Sequence, residues 1–318
     1  MPTKQVSIRH HYVPVFYLKR WLLGGDRIVE FSRPYGDKVK PRRTHPSGTG
    51  YVDRLYELRG LPPELAQQVE ENIFRPVDTR AADVLEDLHA GHGPRDARDR
   101  MAWTQFLVSM LMRNPEELRS MKDAYARHWR LSNKKYERKY QMQRRESDPP
   151  TFAKYLAATP EVIVELQAMK AFVSSLSAER TSKHIFRMKW GHFEMPFTAP
   201  ALLTSDRPLV TEGFAKEDSY LIVPIGPKRI FYAVNTHATA DRLMMLTPNE
   251  LVQRVNLAVT ARANKFVYGA TDHAIDFVQK HMSADPALPM SEKFGTNHKV
   301  RKVRRRDMEM IEKMLSET

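Results

Sequence analysis

The chain has 318 residues, of which 42% are apolar and 28% are charged, and its formal charge is +13. This composition excludes disordered, collagen-like and disulfide-stapled proteins, and the length suffices for one large domain or two smaller ones. No cysteine is present, so thiolate zinc sites and cysteine nucleophiles are excluded. No segment resembles a signal peptide or a membrane helix, so we expect a cytoplasmic protein with no membrane partner, or a nuclear one in a eukaryotic host.

The positive charge is concentrated in two segments. Residues 119–145 hold ten Lys or Arg against two acids, and residues 299–306 hold six basic residues and no acid. The remainder of the chain is close to neutral. Concentrated cations attract a polyanion better than dispersed ones, because each neutralised phosphate releases counterions. The pattern indicates a nucleic-acid partner more strongly than an anionic lipid.

Residues 1–60 are predicted to form an extended and β-rich N-terminal segment. The apolar sequence HHYVPVFYL leads to a strand at Ile28–Phe31, and a second strand is predicted at Val52–Leu58. Residues 33–50 between them contain three prolines, three glycines and five Lys or Arg, which is typical of a turn-rich excursion.

Residues 61–180 are predicted to form a helical bundle that includes a basic helix at 119–145. The clearest helix carries Trp103, Phe106, Leu107, Met110 and Leu111 at helical spacing. A new helix is predicted to start at Asn114-Pro115, with the amide as cap and the proline in the first turn. An earlier helix, which precedes the Trp103 helix in the chain, is predicted to run through the acids Glu70, Glu71 and Asp78. It is predicted to end at the glycines near residue 91.

Residues 181–282 are predicted to form an antiparallel sheet with one helix, followed by a mobile basic tail over 283–318. Apolar residues alternate through Phe186–Trp190, and the runs Tyr220–Ile225 and Ile230–Val234 are joined by a short turn. Thr247-Pro248-Asn249-Glu250 predicts a capped helix, and Lys265–Tyr268 a further strand. The fold class is therefore α+β, with the N-terminal segment and the helical bundle packed on the sheet.

Five blocks of the sequence resemble one known family. They are HHYVPVFYL at residues 10–18, Met112–Pro115, Leu203–Pro208, Ile222–Pro227 and Asn256. In their order and spacing they resemble the domain of unknown function family 4238, over roughly residues 8–272. The resemblance supports the fold and nominates site residues, but it implies no settled reaction. Members tend to carry a glutamate where this chain has the shorter Asp78.

His10 and His11 are the first candidate catalytic residues, because imidazole titrates near neutrality and serves as general acid, general base or metal ligand. Adjacent side chains of a strand point to opposite faces, so only one of the two can enter a given site. The alternative is that one ring is buried on the backbone and the other is exposed.

Arg113 is the third candidate: it either holds a phosphate or oxyanion, or forms a structural bridge to Glu70, Glu71 or Asp78.

Asp206 is the fourth candidate, because it ends an apolar strand where carboxylates perform acid–base or metal chemistry. The alternative is an ordinary turn, in which the side chain caps its own backbone.

Asn256, Glu71 and Asp78 are predicted to have structural or supporting roles, because a buried amide or carboxylate must form hydrogen bonds. A divalent metal is left open as a cofactor, with His89 and His92 a weak candidate pair because they lie in a glycine loop.

The basic helix carries an aromatic stripe that could stack on unpaired bases while its cations contact phosphates, and it consists of Tyr125, Trp129, Tyr136 and Tyr140. The alternative is that the stripe docks on the bundle and leaves a basic edge. The candidate nucleic-acid contacts, including those of the tail, are Tyr125, Trp129, Arg130, Lys134, Lys135, Tyr136, Arg138, Lys139, Arg301, Arg304 and Arg305.

Three functions are consistent with these patterns. The leading function is action on RNA or on single-stranded nucleic acid. Its most specific version is a nuclease that cleaves phosphodiester bonds with His10 or His11, Arg113 and Asp206. The second is a non-catalytic nucleic-acid-binding module. The third is a regulatory domain that binds an acidic protein partner.

Overall fold

The computed structural model describes residues 8–57, 69–131, 133–159, 161–176, 179–211, 213–214, 216–286 and 289. By its contacts the chain forms two compact units. Unit 1 comprises Met1–Leu55, Glu71–Asn114 and Ser177–Ala287, and unit 2 comprises Tyr56–Glu70, Pro115–Leu176 and Leu288–Thr318. The long helical region predicted between residues 61 and 180 is therefore divided between both units. No described helix combines the length and the apolar character that crossing a membrane requires.

Ten strands and eleven α-helices make up the described structure. The strands are β1 Arg9–His11, β2 Ile28–Ser32, β3 Lys40–Thr44, β4 Tyr51–Asp53, β5 Lys189–Glu194, β6 Thr204–Ser205, β7 Val210–Thr211, β8 Tyr220–Gly226, β9 Arg229–Val234 and β10 Val267–Gly269. The helices are α1 Val15–Leu18, α2 Arg75–His89, α3 Ala97–Met112, α4 Pro115–Leu131, α5 Asn133–Gln141, α6 Phe152–Ala158, α7 Glu161–Leu176, α8 Glu179–Arg187, α9 His237–Met244, α10 Pro248–Ala261 and α11 Ile275–His281.

The described strands form three antiparallel sheets, all within unit 1. β1 pairs with β4, one four-stranded sheet has the order β3-β2-β10-β6, and the other has the order β5-β9-β8-β7. β8 and β9 form the hairpin that the sequence predicts. The mixture of helices with antiparallel sheets confirms the predicted α+β class.

The described residues of unit 1 form two apolar cores. In the first, Tyr17 and Trp21 from the N-terminal segment lie with Trp103 and Phe106 of α3 and with Phe231 of β9. The second lies between the β2–β10 pair and one face of α10. The sequence predicts the start of α10 correctly, since Thr247 and Glu250 form a reciprocal capping box and Pro248 occupies the first turn.

α8 corrects one prediction. The alternation of Phe186, Met188 and Trp190 suggests a strand, but residues up to Arg187 are helical and the strand starts only at Lys189. Arg100 explains the difference: its guanidinium donates to the carbonyls of Phe186 (2.7 Å) and Met188 (2.6 Å) at the end of the helix. A cation that satisfies the last carbonyls stabilises a helix C-terminus.

Unit 2 is helical in its described part. α4 packs against α7, where Lys122 and Glu165 form an ion pair of 2.7 Å, and α5 packs against α6. The single basic helix predicted for residues 119–145 is thus two helices, α4 and α5, the second of which ends at Gln141. The predicted basic tail lies outside the described residues from Ala287 onward, except for residue 289.

Candidate functional site

The two adjacent histidines occupy different environments on β1. In the ladder with β4, His10 pairs with Val52 and His11 with Tyr51. His10 is fully buried, whereas His11 is half-buried. This follows from the alternation of side chains along a strand, which sends neighbouring rings to opposite faces. Of the pair, His11 is therefore the one a ligand can reach.

His11 is held in one tautomer by the backbone. Its Nε2 lies 3.3 Å from the carbonyl oxygen of Ser47, and its ring centroid lies 5.5 Å from that of Tyr51. A carbonyl oxygen only accepts, so Nε2 carries the proton and Nδ1 of the neutral ring carries the lone pair. Among the described residues Nδ1 has no hydrogen-bond partner. Burial lowers the pKa of His11, although the bond to Ser47 opposes this, so the ring is neutral at pH 7.

Arg113 and Asp78 join two helices beside this histidine. Asp78 lies in the first turn of α2, and Arg113 caps the C-terminus of α3. The guanidinium donates from NH1 to Oδ2 (3.1 Å) and from NH2 to Oδ1 (2.7 Å). The Arg113 side chain is 0% exposed and the Asp78 side chain 24%. The shorter acid thus reaches the arginine with both oxygens, and Arg113 forms the structural bridge rather than presenting its outer nitrogens to a ligand.

His11, Asp78 and Arg113 act on one another electrostatically, and we call them the His11 cluster. The carboxylate of Asp78 raises the pKa of His11, and the charge of Arg113 lowers it. Burial raises the pKa of Asp78, and both Arg113 and His11 oppose this shift. Glu71, the other acid nominated from the sequence, forms an i,i+4 ion pair of 2.9 Å with Arg75.

Asp206 is buried in a turn of the backbone. Its carboxylate accepts hydrogen bonds from the backbone N–H groups of Asn264 (2.9 Å), Lys265 (2.6 Å) and Phe266 (3.1 Å), just before β10. Burial raises the pKa of Asp206 to about 6, and these three hydrogen bonds oppose the shift. In the described contacts the carboxylate does not reach His11, so the structure does not bring these two candidates together.

Side chains from several elements form hydrogen bonds to the backbone of the segment before β6 and of β8. Asn256 accepts from the N–H of Leu203 (2.8 Å) and donates to the carbonyl of Ala201 (3.0 Å). Trp21 donates to the carbonyl of Leu202 (2.8 Å), and the Tyr17 hydroxyl donates to the carbonyl of Pro224 (2.7 Å). These residues therefore build one hydrogen-bonded junction between the N-terminal segment, the segment before β6, β8 and α10.

The described aromatic residues of the stripe on α4 and α5 pack on other parts of unit 2. Tyr125 is buried beside Ala168 of α7. The ring centroid of Tyr136 lies 6.1 Å from that of Phe152, and that of Tyr140 lies 5.6 Å from the same ring. The Tyr140 hydroxyl also donates to the carbonyl of Pro149 (2.6 Å). These contacts correspond to the alternative in which the aromatic side chains dock on the helical bundle. Tyr125 therefore has no exposed ring face on which a base could stack.

The remaining predicted nucleic-acid contacts divide into exposed and undescribed side chains. Arg138 and Lys139 on α5 are exposed. The side chains of Trp129, Arg130, Lys134 and Lys135 lie outside the described residues, as do Arg301, Arg304 and Arg305. No group of three or more potential metal ligands occurs among the described His, Asp and Glu residues.

A basic strand edge was missed in the sequence. β3 is an edge strand on which Lys40, Arg42 and Arg43 are exposed, and Tyr35 just before it is 80% exposed. Arg42 is engaged by buried Glu30 on β2 (3.1 and 3.0 Å), whereas the Lys40 ammonium lies 5.7 Å from the Tyr35 ring. The five cations of residues 33–50 were the available signal, but the many turn residues obscured the strand that carries them.

One protein family matches most of the chain. The family described as Protein of unknown function (DUF4238) matches residues 9–273, from β1 to the segment just before α11. The chain belongs to this family. No curated protein and no solved structure matches the chain. The DUF4238 region includes every residue of the His11 cluster and of the junction before β6, and it ends before the basic tail.

Proposed function

We propose that this DUF4238 protein cleaves phosphodiester bonds of RNA or single-stranded nucleic acid in the cytoplasm, with His11 as the general base. The observation that carries the proposal is the state of the His11 imidazole. The ring is half-buried and neutral, its Nε2–H is fixed on the Ser47 carbonyl, and its Nδ1 is without a hydrogen-bond partner among the described residues. A neutral imidazole with a fixed tautomer is the form that removes a proton near pH 7.

In the proposed reaction, Nδ1 of His11 takes the proton from the attacking oxygen, which is a 2′-hydroxyl of RNA or a water. That oxygen bonds to phosphorus, the phosphorus–oxygen bond to the leaving nucleoside breaks, and the leaving oxygen takes a proton from water or from protonated His11. General base catalysis of this kind contributes about 10²–10⁴-fold.

Arg113 acts in this proposal through Asp78 and not on the phosphate. Its guanidinium is fully buried and both outer nitrogens bind the carboxylate. The pair therefore fixes Asp78 beside His11, where the negative charge favours the imidazolium formed during proton transfer. Asp78 and Arg113 are positioning residues.

The exposed cations supply the contacts to phosphate. Lys40 and Arg43 lie on an edge strand of unit 1, and Arg138 and Lys139 lie on α5. Exposed lysines and arginines neutralise backbone phosphates without reading sequence, so we expect binding with a strong salt dependence and little sequence preference.

A second candidate function is a binding module without catalysis. It is favoured by the bonding of Arg113, Asp206 and Asn256, whose side chains all bind other parts of the protein. If His11 is also only structural, the exposed cations would still bind nucleic acid.

One gel assay separates the two functions. The purified chain is incubated with labelled RNA, single-stranded DNA and duplex DNA, with and without a chelator, and both shift and cleavage are scored. His11→Gln is the test variant, because an amide nitrogen can still donate to the Ser47 carbonyl but cannot exchange a proton at Nδ1. His273→Gln is the control, since His273 is an exposed histidine of the same unit.

We expect cleavage by the wild type and by His273→Gln, a retained shift with His11→Gln, and at least about 100-fold less cleavage by that variant. A shift without cleavage in all three proteins would leave the binding module. Loss of cleavage with chelator would show that a divalent metal takes part. Equal cleavage by wild type and His11→Gln would refute the role of His11.

A further inference from the structure

A second group of basic side chains lies at the C-terminus of α2, apart from the His11 cluster. The helix ends in a Schellman motif: the N–H of Gly91 donates to the carbonyl of Leu88 (3.2 Å), and the N–H of His92 to that of Asp87 (2.9 Å). Gly91 has φ of +85°, which a side chain would strain. A β-carbon placed on Gly91 would lie 3.4 Å from NH1 of Arg229 and 3.8 Å from Nε2 of His192.

The other side of this group is formed by the N-terminal segment and the end of β8. A β-carbon placed on Gly226 would lie 3.5 Å from Nδ1 of His89 and 3.8 Å from Cβ of Arg20. The charges of Arg20 and Arg229 both act on His89. We call Arg20, His89, His192 and Arg229 the Arg20–Arg229 cluster. Its members come from the segment after α1, from α2, from β5 and from β9.

Three polar atoms in this cluster are buried without a hydrogen-bond partner. They are Nε of Arg20, Nδ1 of His89 and NH1 of Arg229. Buried polar groups in folded proteins are paired in about nine cases of ten, so three such atoms together indicate a missing partner. Two of the three are cationic donors, which excludes a metal ion and calls for an acceptor.

Each arginine of the cluster is paired with one carboxylate. The carboxylate orients the guanidinium but does not occupy all of its N–H donors. Arg20 forms an ion pair with Glu86, and NH2 of Arg229 lies 3.0 Å from Oε1 of Glu194. Both glutamates are 65% exposed, whereas the Arg20 and Arg229 side chains are only 17% and 15% exposed. Each pair therefore fixes a guanidinium from the solvent side and leaves one buried N–H for another ligand.

We infer that the Arg20–Arg229 cluster binds the phosphate group of a small anion, of a nucleotide or of a nucleic-acid end. A tetrahedral oxyanion offers acceptors in several directions and matches donors from separate elements. The cluster would supply the Nε–H of Arg20, an N–H of Arg229 NH1 and, when its ring is protonated, the Nδ1–H of His89. This site does not depend on the reaction proposed for His11.

Proton uptake should accompany binding. Burial lowers the pKa of His89, and the charges of Arg20 and Arg229 lower it further, whereas Glu194 and a hydrogen bond to the backbone of Ile225 oppose this shift. The charged or titratable groups around the ring are Arg20, Glu86, His192, Glu194 and Arg229. An anion bound between the arginines offsets their repulsion of the imidazolium, so its affinity should rise as the pH falls. Sulfate is the probe for this effect, because it does not titrate between pH 5 and 8.

The test is calorimetric titration of the full-length chain with inorganic phosphate and with sulfate, at constant ionic strength. Arg229→Gln should weaken phosphate binding by about 10-fold or more, which corresponds to the loss of one charge-assisted hydrogen bond. The control is Arg95→Gln, which removes an arginine that is 67% exposed and paired with Asp87. We expect it to change the affinity by less than about twofold.

Glu194→Gln tests the inference in the opposite direction. Removing the exposed carboxylate beside Arg229 should strengthen phosphate binding several-fold, and it leaves the buried arginine in place. His273→Gln, at an exposed histidine outside both sites, should bind phosphate as the wild type does. Absence of phosphate and sulfate binding, or equal affinity in the wild type, Arg229→Gln and Glu194→Gln, would overturn the inference.

The source of the phosphate is decided by three further probes. These are a nucleoside 5′-monophosphate and two oligonucleotides of the same sequence, one with a 5′-phosphate and one with a 5′-hydroxyl. Tighter binding of the phosphorylated oligonucleotide by about 10-fold, lost in Arg229→Gln, would assign the site to a nucleic-acid end. Equal binding of both oligonucleotides, with phosphate or the nucleotide still bound, would assign it to a small anion.

Discussion

Arg113 binds Asp78 through two parallel hydrogen bonds of 3.1 and 2.7 Å, although 35 residues separate them in the chain. The fully buried guanidinium thereby ties the end of α3 to the first turn of α2. Its Cζ atom also lies 4.8 Å from the centroid of the Phe74 ring. Breaking a buried ion pair by removing one charge is far more costly than breaking a surface pair.

Asp78→Asn should lower the free energy of unfolding by about 2–3 kcal/mol, because it removes the charge that accepts two hydrogen bonds from a buried cation. Urea unfolding monitored by circular dichroism measures the change. Asp83→Asn is the matched control, since Asp83 is exposed on the same helix, and a change within about 0.5 kcal/mol is expected there. If both variants lost equally little stability, the bridge would not be a stabilising contact.

The sequence predicts those parts of the fold that depend on neighbouring residues. The capping box of Thr247 and Glu250, the hairpin of β8 and β9 and the extended backbone at His10 and His11 are all local patterns. By contrast, α8 owes its end to Arg100, which is 86 residues from the carbonyl it binds. No local pattern indicates such a partner.

The candidate site divides in the same way. The sequence indicates that Arg113 needs a carboxylate, but not which acid it binds, and the structure shows Asp78 bound to both of its outer nitrogens. Asp206 looks like a rim carboxylate in sequence, yet backbone groups 58 to 60 residues away occupy its oxygens. Pairings across such distances are set by the packing of whole elements and are not encoded locally.

Asp206 should make the protein less stable as the pH rises from about 4 to 6. Its pKa is raised from 3.8 to about 6 in the folded protein, chiefly by burial. The folded state therefore holds a proton that the unfolded state has already lost in this range, and the free energy of unfolding falls with pH. Two pKa units correspond to about 3 kcal/mol, complete above pH 6.

Comparison with Asp206→Asn isolates this effect, because the amide cannot titrate. The stability of the wild type relative to the variant, from urea unfolding at several pH values, should be about 2.4 kcal/mol greater at pH 4 than at pH 7. Asp272→Asn, at an exposed aspartate of the same unit, should leave the pH profile of stability unchanged. A difference between wild type and Asp206→Asn that is constant with pH would contradict the raised pKa.

The pH dependence of cleavage should report the titration of His11. Only the neutral ring accepts a proton, so log kcat/KM should rise by about one per pH unit on the acid side and level off above an inflection below 6.5. Asp78→Asn should move the inflection to lower pH, because the Asp78 carboxylate raises the pKa of His11. His273→Gln should keep the wild-type inflection. An inflection that does not respond to Asp78→Asn would separate the two residues functionally.

The edge of β3 should contribute to nucleic-acid binding through charge alone. Lys40 and Arg43 are exposed there, whereas Arg42 is held by Glu30. Replacing Lys40 and Arg43 together by Gln should reduce the slope of log affinity against log salt concentration by about 1.4 for a single strand, because two phosphate contacts are lost. Fluorescence anisotropy of a labelled oligonucleotide at several salt concentrations measures the slope.

The control is a second double variant, Arg187→Gln with Lys189→Gln, which removes the same charge from another exposed surface of unit 1. It should leave the slope nearly unchanged. Equal reductions in both double variants would show that total charge, and not this strand, determines the affinity.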